Sequence, residues 1–205
     1  MSHYPQAEFI TSADRPRQFV ADVGVEVAFA GRSNAGKSSA INALVNRRQF
    51  ARVSKTPGRT QLVNFFRIEG ERRLVDLPGY GFARVADSKR DHWRDLMTDY
   101  FGERRSLAGL FLIVDVRRSL TDFDRQMLAI AQDIGADVHV LLTKADKLKR
   151  GAARTALLEV QRQLPDRATA QLFSATRKTG LTEARLRLDQ MLSPGQKKPR
   201  QKAGE

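Results

Sequence analysis

The chain has 205 residues, 41% of them hydrophobic, with 36 Lys and Arg against 23 Asp and Glu for a formal net charge of +13, and no cysteine. That length holds one α/β domain with a substantial core and little room for a second, and the absence of cysteine excludes a disulfide framework or a thiol metal site. No apolar stretch is long enough to span a bilayer, and the N-terminus Met1-Ser2-His3-Tyr4-Pro5 lacks the apolar region of a signal peptide, so a cytoplasmic protein is expected.

The first strong element is the apolar run Val25–Ala30, read as a buried strand, followed by Gly31-Arg32-Ser33-Asn34-Ala35-Gly36-Lys37-Ser38 and a helical pattern over Lys37–Asn46. A glycine-rich turn between a strand and a helix can surround a polyphosphate with backbone N–H groups. Gly31 and Gly36 allow dihedrals and close approaches that a Cβ blocks. Lys37 can reach the β and γ phosphates, and the Ser38 hydroxyl can complete a Mg²⁺ shell. The polar stretch Ala51 to Thr60 contains Thr56-Pro57-Gly58-Arg59-Thr60, and a loop this long inside a compact domain is usually functional. Either threonine can supply a Mg²⁺ ligand present only with a triphosphate; Thr60, next to the following strand, is the better placed. Strands are expected over Gln61–Ile68 and Arg73–Asp76. The second runs into Asp76-Leu77-Pro78-Gly79, where the carboxylate can hold a Mg²⁺-bound water and the Gly79 N–H can meet the γ-phosphate.

Farther on, helices are expected over Arg90–Gly102, Asp122–Ile134, Arg150–Gln163 and Leu181–Leu192, and strands over Gly109–Asp115, Val138–Thr143 and Thr169–Phe173. Thr121 is a natural N-cap for the Asp122 helix, with Asp122 and Asp124 suited to its dipole. Trp93 reads either as a core anchor of its amphipathic helix or as a partner-facing aromatic. Apolar runs alternating with helical patterns argue a predominantly parallel sheet flanked by helices. Ligands of such sheets bind beyond the strand C-termini, where Thr143-Lys144-Ala145-Asp146 follows its strand. A carboxylate at Asp146 can accept from guanine N1–H and the exocyclic amine, whereas adenine would leave it unpaired; sites of this kind discriminate by about 10⁴. The Lys144 stem can lie along the base. Phe173-Ser174-Ala175 ends the last strand, and the Ser174 and Ala175 N–H groups can bond guanine O6.

These elements in this order look like a Ras-like GTPase of the translation-factor class. Gly31 to Ser39, Lys55-Thr56-Pro57-Gly58-Arg59-Thr60-Gln61 and Asp76-Leu77-Pro78-Gly79-Tyr80-Gly81 more closely resemble the EngB (YihA/YsxC) family, within the TrmE-Era-EngA-EngB-septin-like GTPases. The resemblance implies a three-layer P-loop G domain over 23–193, with a mixed, mostly parallel six-stranded sheet flanked by helices. Residues 1–22 would be an N-terminal arm and 194–205 a basic disordered tail. It implies a GTPase acting as a nucleotide switch in assembly of the large (50S) ribosomal subunit and needed for normal division and septation. It carries nucleotide contacts onto Gly31 to Ser39, Gly58 to Leu62, Asp76 to Gly79, Thr143 to Asp146 and Phe173 to Ala175, with Mg²⁺ on Ser38 and Thr60. Lys37, Thr60 and Gly79 would serve the chemistry.

Two departures from the broader pattern stand out. Thr143 replaces the asparagine of many GTPases, which weakens one tether in the base site. Tyr80 stands where Ras-like enzymes carry a water-orienting glutamine, so intrinsic hydrolysis is expected to be slow and assisted by a partner or a monovalent cation. Asn34 reads equally as a K⁺-binding residue or as a cap within the loop. The charge excess favours a polyanionic partner, for which ribosomal RNA suits better than a membrane. Arg84, Lys89, Arg90, Arg104, Arg105, Arg117, Arg118 and the tail Gln196 to Lys202 are the basic candidates, and a monomer is expected. Two other readings stay open: a P-loop ATPase or kinase, and a septation adaptor whose hydrolysis is incidental.

Overall fold

A computed structural model describes residues 3–51, 62–81 and 87–193. Its strands are β1 Glu8–Ala13, β2 Val25–Gly31, β3 Val63–Glu69, β4 Arg72–Asp76, β5 Leu107–Asp115, β6 Asp137–Thr143 and β7 Ala168–Leu172. Its α-helices are α1 Lys37–Val45, α2 Asp87–Glu103, α3 Asp122–Asp133, α4 Arg150–Gln161 and α5 Leu181–Met191. The strands form one sheet in the order β1-β3-β4-β2-β5-β6-β7, parallel from β4 to β7 and antiparallel at the β1/β3 and β3/β4 pairs.

Strict alternation along the central strands divides the core in two. Val27, Phe29, Phe111 and Ile113 pack with Ile41 and Leu44 of α1 and Leu188 and Met191 of α5. Ala28, Ala30, Leu110, Leu112 and Val114 pack with Leu96 and Tyr100 of α2, Met127 and Leu128 of α3 and Val160 of α4. Because side chains alternate with period two, helices can cover both faces of one sheet, giving three layers. The expected six strands are corrected to seven. The extra one, β1, adds antiparallel to β3 with Phe9 opposite Phe66, and a register shift falls between Phe9 and Thr11. Glu-Phe-Ile-Thr-Ser-Ala does not alternate, and its Phe9 is 54% exposed on the sheet edge, so the local pattern hides it. This strand draws part of the N-terminal arm into the domain. The proposed tail lies outside the described residues.

Helix ends follow local signals. Thr121 caps α3 in a reciprocal box: its hydroxyl accepts from the Asp124 N–H, and the Asp124 carboxylate accepts from the Thr121 N–H at 2.8 Å. Helix α1 closes on Asn46 in the left-handed region at φ 56. At the N-terminal end of β2, fully buried Glu26 accepts from Arg73 Nε at 2.8 Å, from both Arg104 Nε and Nη2, and from the Tyr100 hydroxyl at 3.3 Å. The same two guanidiniums donate to the carbonyls of Val20, Ala21 and Val23, so the network clamps the chain entering β2. A buried carboxylate needs such neutralisation to be tolerated.

The register sets the functional edge. Phe29 pairs with Asp76, Gly31 with Ile113 and Asp115 with Thr143, so the C-terminal ends of β4, β2, β5 and β6 come together on one side.

Candidate functional site

The phosphate loop leaves β2 at Gly31. A Cβ on Gly31 would lie 2.6 Å from the Ile113 carbonyl oxygen, so the glycine is required where the loop root passes β5. Asn34 and Gly36 adopt left-handed conformations at φ 64 and φ 100, and Gly36 is the N-cap of α1. The Ser33 N–H donates to the Tyr80 carbonyl at 2.9 Å and the Ala35 N–H to the Arg32 carbonyl at 3.0 Å. The first N–H groups of α1 have no partner within their own helix, which makes its start a binding surface for anions.

A cavity of about 790 Å³ opens over this turn. Lys37, Ser38, Ser39, Gly36 and Arg32 to Asn34 line it from the loop and α1, Asp76 to Gly79 from the end of β4, Leu62 from the approach to β3, and Lys144 from beyond β6. Clefts of this size hold nucleotide-sized ligands. On its wall Lys37 Nζ donates to Asp76 Oδ1, with both side chains largely buried. The ammonium and the carboxylate thus stand together on the cavity wall. Leu77 also lines the cavity, with the residue buried and its N–H donating to the Phe29 carbonyl at 3.0 Å. Gly79 lies close under the loop, where a Cβ would be 3.4 Å from Ser33 Cα and N.

Tyr80 turns away from this cavity. Its ring stacks on Phe123 and meets Trp93 edge-on, and its hydroxyl donates to buried Asp124 at the start of α3. Burial, followed by the Asp124 charge, pushes the phenol far above its usual range. Trp93 is half-buried and donates to the Pro78 carbonyl at 3.1 Å, anchoring α2 to the segment after β4. The core-anchor reading of Trp93 is the one the contacts support.

The base-side residues are tied to the phosphate side. Thr143 is buried, and its hydroxyl reaches the carbonyls of Ala35 in the phosphate loop and Val114 in β5, the latter at 3.1 Å. Threonine therefore does supply a tether across the site, although its single hydroxyl proton serves one carbonyl at a time. Lys144, left-handed at φ 57, donates to the Asn34 carbonyl at 2.7 Å and pairs with Asp115 at 3.0 Å. Asp146 accepts from the Ser174 hydroxyl at 2.5 Å, and that bond, aided by Lys147, holds its carboxyl below the usual range. The Ser174 N–H is already committed to the Thr179 carbonyl at 3.0 Å, so the expectation that it reads a base oxygen is corrected; Ser174 instead orients Asp146. Phe173 is fully buried, and its backbone bonds Leu142 and Ala145, which makes it a support for the base loop. Gly58, Arg59, Thr60 and Gln61 lie outside the described residues.

Sequence reading gave no role to Asp115. Burial works to raise its carboxyl pKa, but hydrogen bonds from Arg117 and Lys144 outweigh that and hold it well below the carboxylate range. An acid at the C-terminal end of a central strand was the available signal. Among the described residues no cluster of His, Asp and Glu could hold a metal by itself, and no helix is long and apolar enough to cross a membrane.

A family model described as 50S ribosome-binding GTPase matches residues 26–144. Among solved structures, that of a probable GTP-binding protein engB superposes with a TM-score of 0.66 at 20% identity, covering 82% of this chain and 98% of that one. Era in complex with MgGDPNP and nucleotides 1506–1542 of 16S ribosomal RNA gives 0.65 at 19% identity, covering 83% of this chain and 57% of Era. The G domain of the T. maritima FeoB iron transporter gives 0.53 at 22% identity, covering 83% and 100%. At these identities the structural likeness is one of fold.

Proposed function

The chain belongs to the 50S ribosome-binding GTPase family, and from that membership and the geometry of its site we propose that it is an EngB-type enzyme that hydrolyses GTP to GDP and phosphate and acts as a nucleotide switch in large-subunit assembly. The observation that carries the reading is the Lys144 bridge. Lys144 stands two residues before Asp146, the acceptor suited to guanine, and its side chain is bonded to the Asn34 carbonyl of the phosphate loop. One ligand would therefore span a polyphosphate cradle and a purine reader.

In this reading the N–H groups of the loop and of the first turn of α1 hold the β and γ phosphates. Lys37 leaves Asp76 to neutralise charge that develops on the transferring group. Ser38, which lines the cavity beside Asp76, would hold Mg²⁺ together with Thr60, and the ion would supply further charge neutralisation. The Gly79 N–H meets the γ-phosphate, and Asp146 together with the Ala175 N–H selects guanine. No general base is needed, because positioning of the attacking water is the main task in phosphoryl transfer. Since Tyr80 is engaged with Asp124, the water is left without a side chain from that position, which favours a slow intrinsic rate. Asn34, exposed on the same loop, would take K⁺ near the phosphates.

The partner would be the large-subunit precursor and its RNA, engaged in the cytoplasm by a monomer, with effects on division and septation following from assembly. The net charge of +13 supports a polyanionic partner, as does the RNA held by the similarly folded Era. Sedimentation of ribosomal particles with the protein bound to GDP or to a non-hydrolysable GTP analogue tests the switch. Co-sedimentation with large-subunit particles that changes with the nucleotide is expected; identical or absent association would overturn it.

A further inference from the structure

A second cavity, of about 370 Å³, shares Arg32, Ser33, Asn34 and Lys144 with the nucleotide cavity but is walled by the end of β5 and the start of α3. Its two carboxylates are already engaged. Asp115 binds Arg117 through two bonds of 2.9 and 2.7 Å and pairs with Lys144, while Asp124 takes the Tyr80 hydroxyl and the Thr121 cap. Against them stand Arg32, Arg117, Arg118 and Lys144. Arg32 and Arg118 have no acidic partner among the described residues, so the walls carry two uncompensated positive charges. Gly81, at φ +77, makes room for one of them: a Cβ there would lie 2.9 Å from Arg32 Cγ and Nε.

We infer that this cavity docks a backbone phosphate of an RNA partner, held by Arg32 and Arg118 against the Ser33–Asn34 turn. The inference rests on the RNA-partner reading above and adds where that RNA touches the protein. Two arginines that line one recess with no acidic partner among the described residues supply the planar, multidentate donors by which arginine binds phosphate. The bound phosphate would abut the same loop that cradles the nucleotide, so RNA and nucleotide would share one wall.

The test uses the full chain with GDP bound and a fluorescein-labelled single-stranded RNA oligonucleotide, read by anisotropy between roughly 50 and 200 mM KCl. Arg118→Glu and Ser119→Glu alter the exposed rim, with Arg154→Glu on exposed α4 as a control for net charge. Both rim variants are expected to weaken RNA binding at least about fivefold and to flatten the log–log salt slope by about one, while the control changes it far less. Equal losses in rim and control variants would overturn the site and leave RNA binding itself standing. A wild type with no salt-dependent RNA affinity would overturn both. Displacement of the RNA by micromolar inorganic phosphate at constant ionic strength would show a free-anion site and also overturn the inference.

Discussion

Replacing Asp146 with alanine removes the carboxylate that would accept from the guanine edge in the proposed site. Ser174 occupies one acceptor position on Oδ1, at 2.5 Å, and holds the carboxyl below its usual range. An ionised carboxylate offers about four acceptor positions on two oxygens. Enough remain for the N1–H and the exocyclic amine of guanine together. Each hydrogen bond to a charged acceptor contributes about 1.5–3 kcal/mol, so the pair comes to about 3–6 kcal/mol, or about 10² to 10⁴ in affinity. Calorimetric titration of wild type and Asp146→Ala with GDP and with ADP reads this directly. The GDP affinity is expected to fall by that factor, while the weak ADP affinity changes by less than about threefold. Ser174→Ala, which frees the carboxylate without deleting it, is expected to cost GDP about tenfold. A GDP-to-ADP preference that survives in Asp146→Ala would refute the base-reading argument and with it the assignment of this pocket to guanine.

Thr143→Val keeps the shape of the side chain and deletes the hydroxyl that reaches Ala35 and Val114. The loss of about 1 kcal/mol is expected to speed GDP release about fivefold in stopped-flow fluorescence. GTP turnover should be faster in K⁺ than in Na⁺ buffer if Asn34 takes the cation, and equal rates would remove that role. Glu26→Ala removes the buried carboxylate shared by two buried guanidiniums and is expected to cost about 3–5 kcal/mol in urea unfolding. Its GDP affinity in the folded state should be unchanged, because the network sits at the opposite end of β2 from the phosphate loop. His139 is buried between Thr169 and Gln171, and burial pushes its pKa down to about 4 from 6.5. The unfolded chain therefore binds the extra proton first. Stability is complete above pH 6.5 and falls as the pH drops toward 4, by roughly 3 kcal/mol. Urea midpoints across this range for wild type and His139→Asn test it, and parallel curves would count against a neutral buried imidazole.

Much of this protein was legible because its signals are local. Gly31 to Ser38 encode a turn, a positive charge and a hydroxyl within eight consecutive positions, and the backbone alone brings them together. Thr121 and Asp124 cap α3 from three residues apart. The central strands announce themselves as continuous apolar runs because both of their faces are covered. β1 was hidden for the opposite reason: its pairing with β3 is long-range, and its edge position removes the pattern that burial imposes.

The site divides along the same line. Lys37, Asp76 and Asp146 could be named from residue type and spacing, since Lys37 opens the helix after a glycine-rich turn, Asp76 ends β4 and Asp146 follows β6. That Lys144 would be held between Asp115 and Asn34, that Ser174 would orient Asp146 and donate its N–H to Thr179, and that Tyr80 would turn to Asp124 could not. The chain specifies which donors and acceptors exist; the order and register of the strands decide which of them meet. Asp115 lies level with Thr143 only because β5 and β6 are neighbours in a parallel sheet, and a partner brought in from another strand leaves no trace in local periodicity.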